Sequence, residues 1–392
     1  PTRLKATLKK SIKSLKKAVI NKSNVDEFSK DLLTKSEKFK LWSLEARSSL
    51  NQIADYSDRI FGRLTRTATG IGLAAAGAVS VFTKKAISTY ADYESSLANT
   101  SALFGIEKGS SAYKELDSVA RETAKVTSKT ASESAQALGY MALAGWSAKE
   151  SMQNLSPMIK FAEAMQSELS GTSDIVTDSM AAYGMATNRL IEYLDALTFS
   201  STKANTTAIQ TAEAMVGVGG VMNNLNASLP TTIALISSIS SISKGSEAGN
   251  ALNGIFLRFT KGSGEAKRGL DELGVSLYDS MGQTRNLLDV LEEASEKLSN
   301  LNESDRNRLS ALIGGGNYTA EFNAIMKWAK VNAKTGTSEL REFSKATEES
   351  KGALQKYHDT IKGTLGYTSE TIKSAWQELQ IAAIEPNAEK IK

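Results

Sequence analysis

Apolar residues recur every three or four positions along most of this chain, the period of an α-helix with one buried face. In residues 1–20, Leu4, Leu8, Ile12, Leu15 and Val19 keep that interval. Asn24 and Glu27 then stand at the spacing of a capping box. From Val25 the period becomes a strict seven: Val25, Leu32, Phe39, Ala46, Ile53 and Ile60 form an unbroken row. The row three residues on (Phe28, Lys35, Trp42, Ser49, Tyr56, Arg63) is mixed. One regular row beside an irregular one predicts a coiled coil short of ideal. Its self-association seam is Val25, Phe28, Leu32, Phe39, Trp42, Ala46, Ile53 and Ile60. An amphipathic helix packed within its own domain is the competing reading.

Thr67 to Thr83 is an uncharged run of 17 residues between Arg66 and Lys84. As a helix it extends roughly 25 Å, just short of a bilayer core. Gly70, Gly72, Leu73, Ala75, Gly77, Val79, Val81 and Phe82 give it a small-residue surface with modest hydrophobicity. Such a surface lets helices approach closely. A tight helix–helix seam is the reading favoured over a permanent transmembrane helix, and insertion into a membrane under particular conditions is compatible with it.

Further on, the pattern is a string of short helices with clear punctuation. Gly105 closes the helix holding Tyr90 and Leu97. Thr130 with Glu133, and Ser147 with Glu150, are capping boxes separated by a stop at Gly145. Pro157 suits the first turn of another helix, and Gly171, Gly184, Gly245 and Gly262 close later ones. Leu229-Pro230 opens the helix of Ile233, Ile236 and Ile239. One β element is predicted, a tiny hairpin of 275–277 and 283–285 turning through Asp279 to Gly282. Gly314–Gly316 breaks the chain again. A long amphipathic helix is then predicted from Ser338 to Ala383, with Pro386 as its stop.

The fold class that follows is all-α. Residues 1–85 form an extended stalk of basic helix, coiled coil and Ala/Gly-rich segment; 86–335 form a multi-helix core domain; 336–392 form the long C-terminal helix. Composition agrees: apolar residues are 41% and aromatics 7%, so cores are thin and long helices packed on copies of themselves suit the chain better than one large globule. Only four prolines interrupt it. Net charge is +4, yet the first 22 residues hold eight basic groups and no acidic one, leaving −4 over the remainder. The basic helix therefore reads either as a solvated face or as a contact for an anionic surface. The chain starts at Pro1 without a methionine and no apolar leader is visible, so a processed or partial segment of a longer protein is expected.

The chemistry is sparse. With no cysteine and one histidine, zinc peptidases, papain-like amidases and Ser–His–Asp hydrolases are excluded. His358, beside Asp359, reads as a solvated surface residue. A lytic transglycosylase needs only one carboxylate, but its candidates here, Glu133 and Glu150, are accounted for as caps. The glycine-rich spots Gly217–Gly220, Lys261–Gly269 and Gly314–Gly316 lack the spacing of a phosphate loop and read as helix breaks. No catalytic, cofactor or metal residue is assigned.

The stretches "YADYESSLANTSALFG", "GYMALAGWSAKES", "ISKGSEAGNALNGIF", "LDELGVSLYDSMGQTRNLLDVLEEASEKL", "LIGGGNYTAEFNAIM" and "DTIKGTLGYTSETIKSAWQELQIAAIEPN" follow one another between Lys84 and Asn387. In this order and spacing they resemble the core region of phage tail tape measure proteins. The resemblance implies a structural protein, not an enzyme, that sets tail length as tube subunits polymerise around it and leaves ahead of or with the genome, aiding envelope passage. It implies as partners other copies of the chain (three, in a ring-symmetric tail), the tail tube protein, tail-tip or baseplate hub proteins, tail assembly chaperones and, through the apolar segment, the host membrane; no specific nucleic acid and no cofactor. The place implied is the lumen of a virion tail or tail-like particle, after synthesis in the bacterial cytoplasm. A membrane-acting, pore-forming helical protein and a carboxylate-based peptidoglycan-cleaving enzyme are the alternatives.

Overall fold

The computed structural model describes residues 71–261 and 264–391. Among them it is all-α, with no strand. The chain separates into two compact units: Ser95–Tyr367, and Thr368–Lys392 together with the chain up to Glu94. The first described helix, α1 (Ile71–Leu103), ends where Gly105 adopts φ +66°.

Within Ser95–Tyr367 the helices begin where the caps predict. Thr130 and Ser147 close reciprocal boxes with Glu133 and Glu150 at the starts of α3 (Ala131–Leu143) and α4 (Ala148–Ala164), after α2 (Ser111–Val126). α5 (Leu169–Tyr183) ends on left-handed Gly184, and α6 (Leu190–Lys203) follows a single 3-10 turn. Thr207 and Gln210 box the start of α7 (Ala208–Asn224), and Ser228 with Pro230 opens α8 (Leu229–Ile239). α9 (Gly245–Thr260), α10 (Glu265–Leu273), α11 (Leu287–Ser299), α12 (Glu303–Gly314) and α13 (Thr319–Ala329) come next. α14 (Glu339–Glu348), α15 (Ala353–Lys362) and α16 (Leu365–Ile384) complete the run before a last short turn, α17 (Ala388–Ile391).

Alternate helices pack side by side. One layer is the row α3, α5, α7, α9; the second is α4, α6 and α8, with α15 lying on α4 and α6 and α14 lying on α8. Tyr193, Phe161 and Phe256 are among the largest side chains sealed inside. α10 to α13 form a further cluster joined through α9 and α8.

Several expectations are corrected. The predicted helix 338–383 is three helices: Gly352 takes φ +85° and Gly363 ends α15. Its stop is placed as expected, since α16 ends at Ile384 before Pro386. Pro157 lies inside α4, not in a first turn. An interior proline costs about 3 kcal/mol, but Leu155, Met158, Ile159 and Phe161 carry the buried face straight through it, each contributing about 1.5–3 kcal/mol. Gly171 sits at the start of α5, where it donates to the Glu168 carboxylate, and Gly245 begins α9; neither closes a helix. Gly262 lies outside the described residues.

Gly217–Gly220 breaks nothing and is interior to α7. A Cβ at Gly219 would stand 2.8 Å from the Tyr183 backbone nitrogen of α5, and one at Gly217 would stand 3.0 Å from the Gly249 carbonyl carbon of α9. These glycines let α7 lie between two backbones. The breaks at Gly264 and Gly315 do occur, both at positive φ. The hairpin shrinks to one antiparallel bridge, Tyr278 with Thr284, turned by Asp279, whose carboxylate accepts from the Met281 and Gln283 amides at 2.9 Å.

Candidate functional site

The predicted seam (Val25, Phe28, Leu32, Phe39, Trp42, Ala46, Ile53, Ile60) lies outside the described residues, as does Gly70. Gly72, Leu73, Ala75, Gly77, Val79, Val81 and Phe82 fall on the backbone of α1. Among the described residues no helix is long and apolar enough to cross a membrane.

The carboxylates that the sequence offered as catalysts serve as caps. Glu133 Oε2 accepts from the Thr130 amide at 2.8 Å, and Glu150 Oε2 from the Ser147 amide at 2.9 Å. The Ser147 hydroxyl and amide, with the Thr187 hydroxyl, hold the Glu150 carboxyl below its ordinary range. A carboxyl kept ionised in this way is a poor proton donor.

His358 is not solvated. It is buried, with Nε2 2.7 Å from Glu163 Oε2 and its ring edge-on to Tyr367 at 5.8 Å. Glu163, also buried on α4, accepts from the Ser128 amide at 2.5 Å and from the Tyr367 hydroxyl at 3.4 Å. The helix's own spacing accounts for this: Leu354, His358 and Ile361 stand four and three residues apart, so His358 shares the buried face of α15 with Leu354.

A second buried carboxylate lies nearby in the fold. Asp195 of α6 accepts from the Gly352 amide at 2.8 Å and the Leu354 amide at 2.9 Å, capping α15 from 157 residues away in sequence. Both carboxylates have a sequence signal: each is a lone acid inside a largely apolar helical run, "IKFAEAM" and "YLDALTF". Acids on such faces are seldom buried unless bonded.

Next to Asp195 a cleft of about 620 Å³ opens between the starts of α6 and α8 and the turn after α14, lined by Tyr183, Arg189, Ile191, Glu192, Pro230, Thr347 and Lys351 among others. Burial pushes the Tyr183 phenol up, and its hydroxyl donates to the Ala227 carbonyl. Arg189 is engaged with Glu192 at 2.9 Å. The cleft brings together no nucleophile with a base. Among the described residues no group of His, Asp and Glu is placed to hold a metal ion.

Residues 117–315, from within α2 to the glycine after α12, match the phage-related minor tail protein family. The chain belongs to that family. The chain is also 24% identical over 357 residues to the tape measure protein of Pneumococcus phage Dp-1, covering 88% of this chain and 30% of that protein. It is 23% identical over 314 residues to the probable tape measure protein of Escherichia phage P2, covering 79% of this chain and 37% of that one. It thus spans about a third of the length of the curated relatives it matches. No solved structure matches it. The family span takes in both layers of the Ser95–Tyr367 unit, including Glu163 and Asp195. It stops short of Gly352, His358 and Tyr367, the groups those carboxylates hold.

Proposed function

We propose that the chain is the core portion of a tape measure protein: a structural component of a phage tail or tail-like particle, without enzymatic activity, that fixes tail length by templating tube polymerisation. The observation that carries this reading is the alignment with a protein named tape measure protein along 88% of the chain. The all-α architecture supports it, because a helix advances about 1.5 Å per residue and turns residue count into distance. The polar ties and absence of an assembled reactive centre among the described residues fit a holding role. In the same reading the protein lies in the tail lumen, associates with other copies through the 25–60 heptads as a trimer, and meets the tube protein, the tail-tip or baseplate hub and the assembly chaperones. It leaves ahead of or with the genome, with the small-residue segment aiding envelope passage.

A nonsense codon in the parent gene tests this. Lysates then hold heads without tails, or tubes of scattered length, and supplying the intact gene restores one length. Tails of normal, uniform length without the protein contradict the proposal.

A further inference from the structure

We propose that α15 is a releasable latch, a helix that docks on α4 and α6 as one unit and opens without unfolding the layers beneath it. Its buried apolar surface is small: Leu354 and His358 are the buried side chains of this ten-residue helix, against ten buried residues on α8. What holds it is polar. Asp195 takes the amides of Gly352 and Leu354, and Glu163 takes His358 Nε2. The first amides of a helix have no partner within it and carry partial positive charge. Gly352 supplies no side chain to satisfy them. The cap of α15 therefore exists only while α15 is docked.

An isolated helix of this length is marginal in water, so docking and helix formation are coupled into one two-state step. Opening is not opposed by the loss of a large apolar contact, and it returns Glu163 and Asp195 to water, which offsets the broken ties. Glycines at 352 and 363 flank the helix. Gly352 sits at φ +85° and gives the chain a hinge at one end. Tyr367, the last residue of the unit, is held by the same Glu163 carboxylate at 3.4 Å. α15 and the point at which the chain leaves that unit thus share one anchor, the Glu163 carboxylate.

Hydrogen exchange by mass spectrometry on the whole chain tests the latch. Amides of 353–362 exchange at least about tenfold faster than those of 229–239, the behaviour of a local opening. Asp195→Asn and Glu163→Gln each accelerate 350–367 several-fold further and leave 208–239 unchanged. His358→Gln, which keeps a donor near Glu163, recovers part of the protection that His358→Ala loses. The chain has no cysteine, so Lys160→Cys with Gln355→Cys, at the exposed 3.1 Å contact between α4 and α15, accepts a short bismaleimide; bridged protein shows slower exchange at 353–362 only. The latch is overturned if 353–362 and 229–239 exchange at one rate, if the carboxylate variants speed both together, or if the bridge changes nothing.

Discussion

Two adjacent glycines of α7 should respond oppositely to the same substitution. In a helix interior Gly→Ala contributes about 1 kcal/mol through reduced backbone entropy. At Gly220 nothing opposes that gain, since the nearest atom to the added Cβ is the Ala182 carbonyl oxygen at 3.8 Å, an ordinary contact. At Gly219 the methyl would meet the Tyr183 nitrogen at 2.8 Å, the Ala182 carbonyl carbon at 3.0 Å and the Tyr183 Cα at 3.1 Å. All three are backbone of α5, so no side chain can swing aside and the helices must separate by roughly half an ångström. Overpacking of this kind costs about 1–3 kcal/mol, and here the high end applies because α5 and α9 flank α7 on both sides. Gly220→Ala is therefore stabilising by up to about 1 kcal/mol and Gly219→Ala destabilising by about 1–2 kcal/mol. For a unit of this size a 1 kcal/mol change moves the melting temperature by about 2–4 °C. Circular dichroism melts of the two variants measure both signs. Should Gly219→Ala melt as high as Gly220→Ala, the account of these glycines as close-approach positions is refuted.

Ile53→Asp with Leu32→Asp places charge in the predicted seam and should lower the mass of the chain in light scattering toward that of a monomer; a parent chain already monomeric at high concentration contradicts the seam. Because Glu150 has its folded pKa depressed below 4.5, its cap contributes stability above that value and loses it as pH falls through the folded pKa. Amide protection at the start of α4 should therefore drop below about pH 4.5 and become flat across that window in Glu150→Gln, as read by NMR. A midpoint for Glu150 above 4.5 in carboxyl-resolved spectra would contradict the cap.

What the sequence made legible was local. Thr130–Glu133 and Ser147–Glu150 start helices through side chains three residues apart, and Gly184 ends one through its own backbone, so each could be read in a short window. Most of the errors involve a partner distant in sequence. Gly217 and Gly219 look like breakers until α5 and α9 lie against them, and Pro157 looks like a start until its face is buried. The break at Gly352 depends on Asp195, far back in the chain. His358 is mixed: its spacing of four from Leu354 is local, whereas its partners Glu163 and Tyr367 stand on two other elements. The family, by contrast, was legible from the order of many weak stretches, because order along a chain survives where single motifs do not.

The central claim, that this chain is part of a molecular ruler, is tested most directly by tail length in electron micrographs of particles from an in-frame deletion series in the parent gene. Removing whole heptads from an extended helical part should shorten tails in proportion, at about 1.5 Å per residue removed. Deletions within 130–260, where the helices α3 to α9 pack into two layers, should abolish tails. Particles that carry such heptad deletions and still show tails of unaltered length would contradict the ruler.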